Sequence, residues 1–176
     1  LSGKSDTMSG RLAVWDGGNV LATHQEFGGR VKLQENLTST DIHSTHVAGT
    51  MIASGVNANA KGMSFGADLK VWDYNNDNAE ISDASVPKTG PPLLVSSHSY
   101  GYQSGWVYDS SKNKWQWWGE DKVSTFEDDK FGFYDSNTQN LDKIAFNAPY
   151  YLIVKSAGNS RSENGPDAGK YYFLKT

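Results

Sequence analysis

The chain has 176 residues, enough for one domain with a sizeable core, and 37% hydrophobic with 20% charged residues excludes a disordered polypeptide. A net charge of −4 with no dense basic run argues against a nucleic-acid partner, and no apolar run of about 18 residues is present to cross a membrane. The absence of cysteine excludes disulfides, thiolate metal sites and a cysteine nucleophile, and the opening LSGKSDTMSG lacks the charged and apolar regions of a signal peptide.

Residues 11–15 (RLAVW) form a short apolar run that Asp16-Gly17-Gly18 stops, which predicts a buried strand ending in an acid. Over residues 43–54, Val47, Met51 and Ile52 recur at near-helical spacing, with Gly55 as a C-terminal stop. Residues 69–72 and 93–97 read as further short strands. Residues 135–147 read as a helix with Leu141, Ile144 and Ala145 on one face, leading into 150–154, the strongest strand signal in the chain. Strands alternating with helices predict an α/β fold with a parallel sheet, because parallel neighbours need a crossover between them. Residues 102–119 break this alternation. There Trp106 and Tyr108 face Trp115 and Trp117 at period two across the polar turn 109–113, predicting an inserted β-hairpin whose tryptophans serve as its small core or as an aromatic wall.

Sites in open α/β sheets form where loops leave the carboxyl ends of strands, so the polar residues at four such exits belong together. Asp16 follows the first strand, either as a simple turn-former or as a held carboxylate. The segment 41–50 (DIHSTHVAGT) opens a helix with histidine among small residues. It resembles the HGTHVAGT segment of subtilisin-like proteases, with Ser44 in place of glycine, and Asp16-Gly17-Gly18 resembles the D-[ST]-G segment of that family, with Gly17 substituted. The resemblance implies that His43 is a general base and that Asp16 orients it, since a serine hydroxyl attacks only when a neutral imidazole takes its proton. His46, three positions on, is expected to pack aside. The His43 and His46 pair is a weak zinc pattern without a nearby third ligand, and a metal-dependent hydrolase using Asp16, His43 and His46 is a further alternative.

Residues 95–101 (VSSHSYG) resemble the family's N-[MF]-S-[LW]-G strand, which implies that Ser99, Tyr100 and Gly101 line a cleft for an extended peptide. By strand alternation His98 points away from Ser99. Residues 151–160 (YLIVKSAGNS) resemble the V-x-A-A-G-N segment, which implies an oxyanion role for Asn159 and a specificity-pocket wall of Ser156, Ala157 and Gly158. Residues 62–72 (GMSFGADLKVW) are similar to the family's approach to a further strand. His24-Gln25-Glu26-Phe27 resembles its H-P-[DE]-[LF] turn, where Glu26 is a structural calcium ligand in the resemblance and a solvated loop carboxylate on its own. Asp41, near the base, reads as a loop cap, the alternative being a residue that favours basic substrate side chains beside the scissile bond.

The resemblance therefore implies the N-terminal portion, over 1–176, of a single subtilisin-like serine endopeptidase domain, secreted or in the cell envelope and needing no cofactor for catalysis. Its G-T-S-x-[AS]-x-P nucleophile segment does not occur in these residues. The expectation is that a complementing C-terminal segment brings the serine and that this chain alone is inactive. The alternative is a pseudoprotease or peptide-binding module of the same fold.

Overall fold

The structure, a computed structural model, describes residues 8–163, 165–166 and 171–173, the last three by their backbone. The chain forms two compact units, one of the residues up to Tyr100 together with Asn137–Ser156, the other of Gly101–Ser136 together with the residues from Ala157.

Numbered along the chain, the first unit contains β1 (Leu12–Asp16), β2 (Val31–Leu33), β3 (Leu69–Asp73), β4 (Val95–His98) and β7 (Leu152–Lys155). They pair in the order β2-β3-β1-β4-β7, every neighbour parallel, as the strand and helix alternation predicts. β1 lies at the centre and is buried along its whole length, which explains its unbroken apolar run. Leu12 and Val14 enter one core with Val20, Phe27, Ile52 and Leu69, while Ala13 and Trp15 enter the other with Ile81, Leu93, Ile144 and Tyr151. Each fully buried aliphatic or aromatic side chain is worth about 2 to 3 kcal/mol, so these two layers fix the register of β1 against β3 and β4. Trp15 stacks at 4.4 Å and 5° on Trp72 of β3 and at 5.2 Å and 10° on His98 of β4, its neighbours in register.

Helix α1 (Ile42–Ile52) turns Ser44, Ala48 and Ile52 inward at i, i+4 and i+8. Its last carbonyls would be left unpaired, but Gly62, Met63 and Ser64 donate to Ala53, Thr50 and Met51. Residue 62 must be glycine for this approach, because a Cβ there would sit 2.5 Å from the Ala53 nitrogen. Helix α2 (Asp77–Ser85) buries Ile81 and Ser85, and helix α3 (Ser136–Asn147) buries Ile144. Leu141 is half-buried and Ala145, expected on the inward face, is exposed. β7 is an edge strand with Leu152 and Val154 exposed.

In the second unit, β5 (Trp106–Asp109) and β6 (Lys114–Trp117) make the antiparallel hairpin, with Trp106 opposite Trp117 and Tyr108 opposite Trp115. β8 (Tyr171–Phe173) adds a parallel strand to β6. Trp117 is buried with Trp106 4.9 Å away, so this pair forms a core as one of the two hairpin readings has it. The buried Asp128 accepts from the Gly105 amide at 2.6 Å and the Lys130 ammonium at 2.9 Å, tying the loop after the hairpin to its base.

Candidate active site

β1 ends on Asp16, which is buried, and α1 begins at Ile42, so His43 stands in the first turn of a helix beside the strand exit. The two side chains meet: His43 Nδ1 lies 2.7 Å from Asp16 Oδ1. A carboxylate only accepts, so Nδ1 carries the hydrogen and Nε2 keeps a free lone pair. The His43 side chain is 57% exposed and that of Asp16 4%, an arrangement of a sheltered acid holding an accessible base. Asp16 Oδ1 also accepts from the Gly17 amide at 2.7 Å, while Oδ2 is buried without a hydrogen-bond partner.

The helix start is fixed by Asp41, whose Oδ1 accepts from Ser44 N at 2.8 Å and Ser44 Oγ at 3.0 Å. The Ser44 amide holds the Asp41 carboxyl below its usual range, helped by the Ser44 hydroxyl and the nearby His43. This is the capping role expected for Asp41, and serine where glycine is usual at position 44 is explained by its hydroxyl serving the same cap. Asp41 also stands closer to the pair than the sequence shows. One ligating atom each of Asp16, Asp41 and His43 lies within 4.8 Å of the others, the one such group of three among the described residues. His46 is not in that group; it is exposed and lines a groove of about 660 Å³ along the outer side of α1 with Ile42, Gly49 and Met63.

Ser99 and Tyr100 leave β4 beside Ser156, which leaves β7 and donates its amide to the His98 carbonyl at 3.1 Å. Tyr100 is pinned from below. Its hydroxyl donates to Asp77 Oδ2 at 2.7 Å and so accepts from His98 Nδ1 at 3.0 Å; the Lys155 ammonium lies 3.8 Å over its ring. His98 Nε2 then accepts from Ser96 Oγ at 2.6 Å, and Ser96 accepts from Tyr151 at 2.5 Å. Every partner in this chain from Tyr151 to Asp77 is satisfied with His98 neutral. Burial and the Lys155 charge push the His98 imidazole down to about 4. Ser96 and His98 form a serine and histidine contact, yet both are sealed from solvent and offer no nucleophile to a substrate. Strand alternation predicts the direction of His98, but nothing local in the sequence reveals that Tyr100, Asp77 and Tyr151 meet around it.

Gly101, Ala157, Gly158 and Asn159 belong to the second unit. There Gly158 takes φ +90°, which a side chain would strain, and Asn159 is exposed. Glu26 is buried and its two oxygens accept from the amides of Gly55 at 2.7 Å, Val56 at 3.0 Å and Asn57 at 2.7 Å, with Ser54 Oγ at 3.3 Å. Those donors, Asn57 foremost, hold its carboxyl below the usual range. The surroundings of Glu26 do not fit calcium, because positive N–H dipoles already converge where a cation would bind.

Neither a comparison with curated proteins nor one with solved structures returns a match. The model of the subtilase family (Peptidase S8) matches residues 8–173, nearly the whole chain and both strand exits that carry Asp16 and His98. With a parallel α/β sheet and an acid and histidine joined at the carboxyl end of its central strand, the chain belongs to the subtilase family, a family of serine peptidases.

Proposed function

We propose that this chain supplies the acid and base of a serine endopeptidase that hydrolyses peptide bonds by acyl transfer. The contact of His43 Nδ1 with the sheltered Asp16 carries this reading, since it leaves Nε2 as the proton acceptor on the exposed side. His43 takes the proton of a serine hydroxyl and later passes it to the leaving amine, and Asp16 fixes its tautomer and stabilises the imidazolium. Asn159 serves the oxyanion, Ser99, Tyr100 and Gly101 receive the peptide as an added strand, and Ser156, Ala157 and Gly158 form a pocket wall.

The nucleophilic serine comes from a complementing segment, and the chain alone is inactive. Three exposures support such a partner: the free edge of β7 with Leu152 and Val154, the apolar groove along α1, and Ile42 at 88% exposure beside the base. A secreted or cell-envelope location is part of the same proposal, suggested by the family resemblance. The test is labelling of the full gene product with a fluorophosphonate probe. Labelling that His43→Ala abolishes supports the peptidase; absence of labelling in correctly folded protein overturns it in favour of a peptide-binding module.

A further inference from the structure

The sheltered acid and its base are not fully occupied by each other. Asp16 spends Oδ1 on His43 and the Gly17 amide, and Oδ2 stays buried and unpaired, a state that costs free energy unless a donor or a cation faces it. Asp41 spends Oδ1 on the Ser44 cap, and its carboxyl is also lowered by a backbone hydrogen bond from His43. His43 offers a ring nitrogen on the same spot, with one ligating atom of each residue within 4.8 Å of the other two.

We infer that Asp16, Asp41 and His43 bind a divalent transition-metal ion of the zinc class, and that this ion is an inhibitor of the chain's own base. The donor set decides the class. An imidazole nitrogen with two carboxylates suits zinc or cobalt, which accept three protein ligands and a water at about 2.0 to 2.2 Å, whereas calcium and magnesium favour oxygen alone. Two carboxylates balance the charge of the ion. The half-exposed imidazole gives it a route in, and Asp16 Oδ2 gains the cationic partner it lacks.

The inhibitory consequence rests on the proposed function. An ion on Nδ1 replaces the hydrogen that bonds to Asp16, and the neutral ring then carries its one hydrogen on Nε2. Nε2 has no lone pair left to accept a proton from a serine. The binding itself does not depend on hydrolysis, so the two ideas fail separately.

Isothermal titration of the full chain with zinc alone, and visible absorption with cobalt alone, read the site directly. One ion per chain is expected with micromolar affinity and with the absorption bands of tetrahedral cobalt. His43→Ala abolishes the bands. Asp41→Asn, which keeps a capping oxygen for Ser44 and so keeps the helix start, weakens binding about tenfold or more, since even outer partners of metal ligands contribute that much. His46→Ala changes nothing. Binding lost in His46→Ala, binding unchanged in folded His43→Ala and Asp41→Asn, or no zinc bound at 100-fold above the micromolar range would overturn the inference. If zinc binds as described and fluorophosphonate labelling fails, the metal site stands and the peptidase reading falls.

Discussion

Asp16 and His43 touch through one carboxylate oxygen only: Oδ1 lies 2.7 Å from Nδ1, and Oδ2 is buried with nothing to accept from. Gly17 has no side chain, where the family pattern has serine or threonine.

Gly17→Ser is therefore expected to stabilise the protein. A Cβ at residue 17 meets only Tyr74 Cε1 at an ordinary 3.5 Å, and the serine hydroxyl is expected to donate to Oδ2. One hydrogen bond and the reduced freedom of the unfolded chain are together worth about 1 kcal/mol, a rise of roughly 3 °C in thermal midpoint. A fall in midpoint would show that Oδ2 faces away from residue 17.

Asp16→Asn tests the orienting role. Asparagine preserves shape but can present an N–H to Nδ1, which shifts the ring hydrogen to the wrong nitrogen. In the complemented enzyme kcat should fall by about four orders of magnitude with the fold intact by circular dichroism.

His98 predicts an acid-sensitive core. The unfolded chain takes up a proton near 6.5, but the buried imidazole resists until about 4, so the unfolded state binds more protons between those values. Stability is complete above 6.5 and declines as pH falls toward 4, by about 3 to 4 kcal/mol at roughly 1.4 kcal/mol per pKa unit. Denaturant unfolding at pH 7 and 4.5 measures it, and His98→Gln should remove the dependence in this window.

Glu26 governs the loop after α1. Its carboxyl is held below 4.5 by the amides of residues 55–57, so its contribution is present above that value and lost as pH falls through the depressed one. Hydrogen exchange at Gly55, Val56 and Asn57 should accelerate, relative to neighbouring amides, below pH 4.5, and already at pH 7 in Glu26→Gln. Because these dipoles repel a cation, addition or chelation of calcium should leave the exchange at these three amides unchanged.

Much of the sheet was legible in the sequence, because a central parallel strand is an apolar run with punctuation and a helix start leaves a cap, whereas the pairing of Asp16 with His43 was expected only from the resemblance of their segments to the subtilisin-like family. β2 and α2 were not legible. β2 has three residues with only Val31 buried, and α2, Asp77–Ser85, buries only Ile81 and Ser85, so neither carries a period strong enough to read. The bond that holds Asp41 beside the pair was hidden for a different reason. The Asp41 amide bonds to the Asn19 carbonyl at 2.8 Å, a contact between loops 22 residues apart that local pattern does not encode.

The stack of Trp72, Trp15 and His98 across three neighbouring strands makes the molecule its own optical gauge. Two indoles 4.4 Å apart and nearly parallel share their excited states and give a paired near-ultraviolet dichroism signal that separated tryptophans lack. The imidazole on the opposite face of Trp15 quenches its emission once protonated. Strand registry at the centre of the sheet and the charge of a buried histidine can thus be followed by light alone, with no label attached.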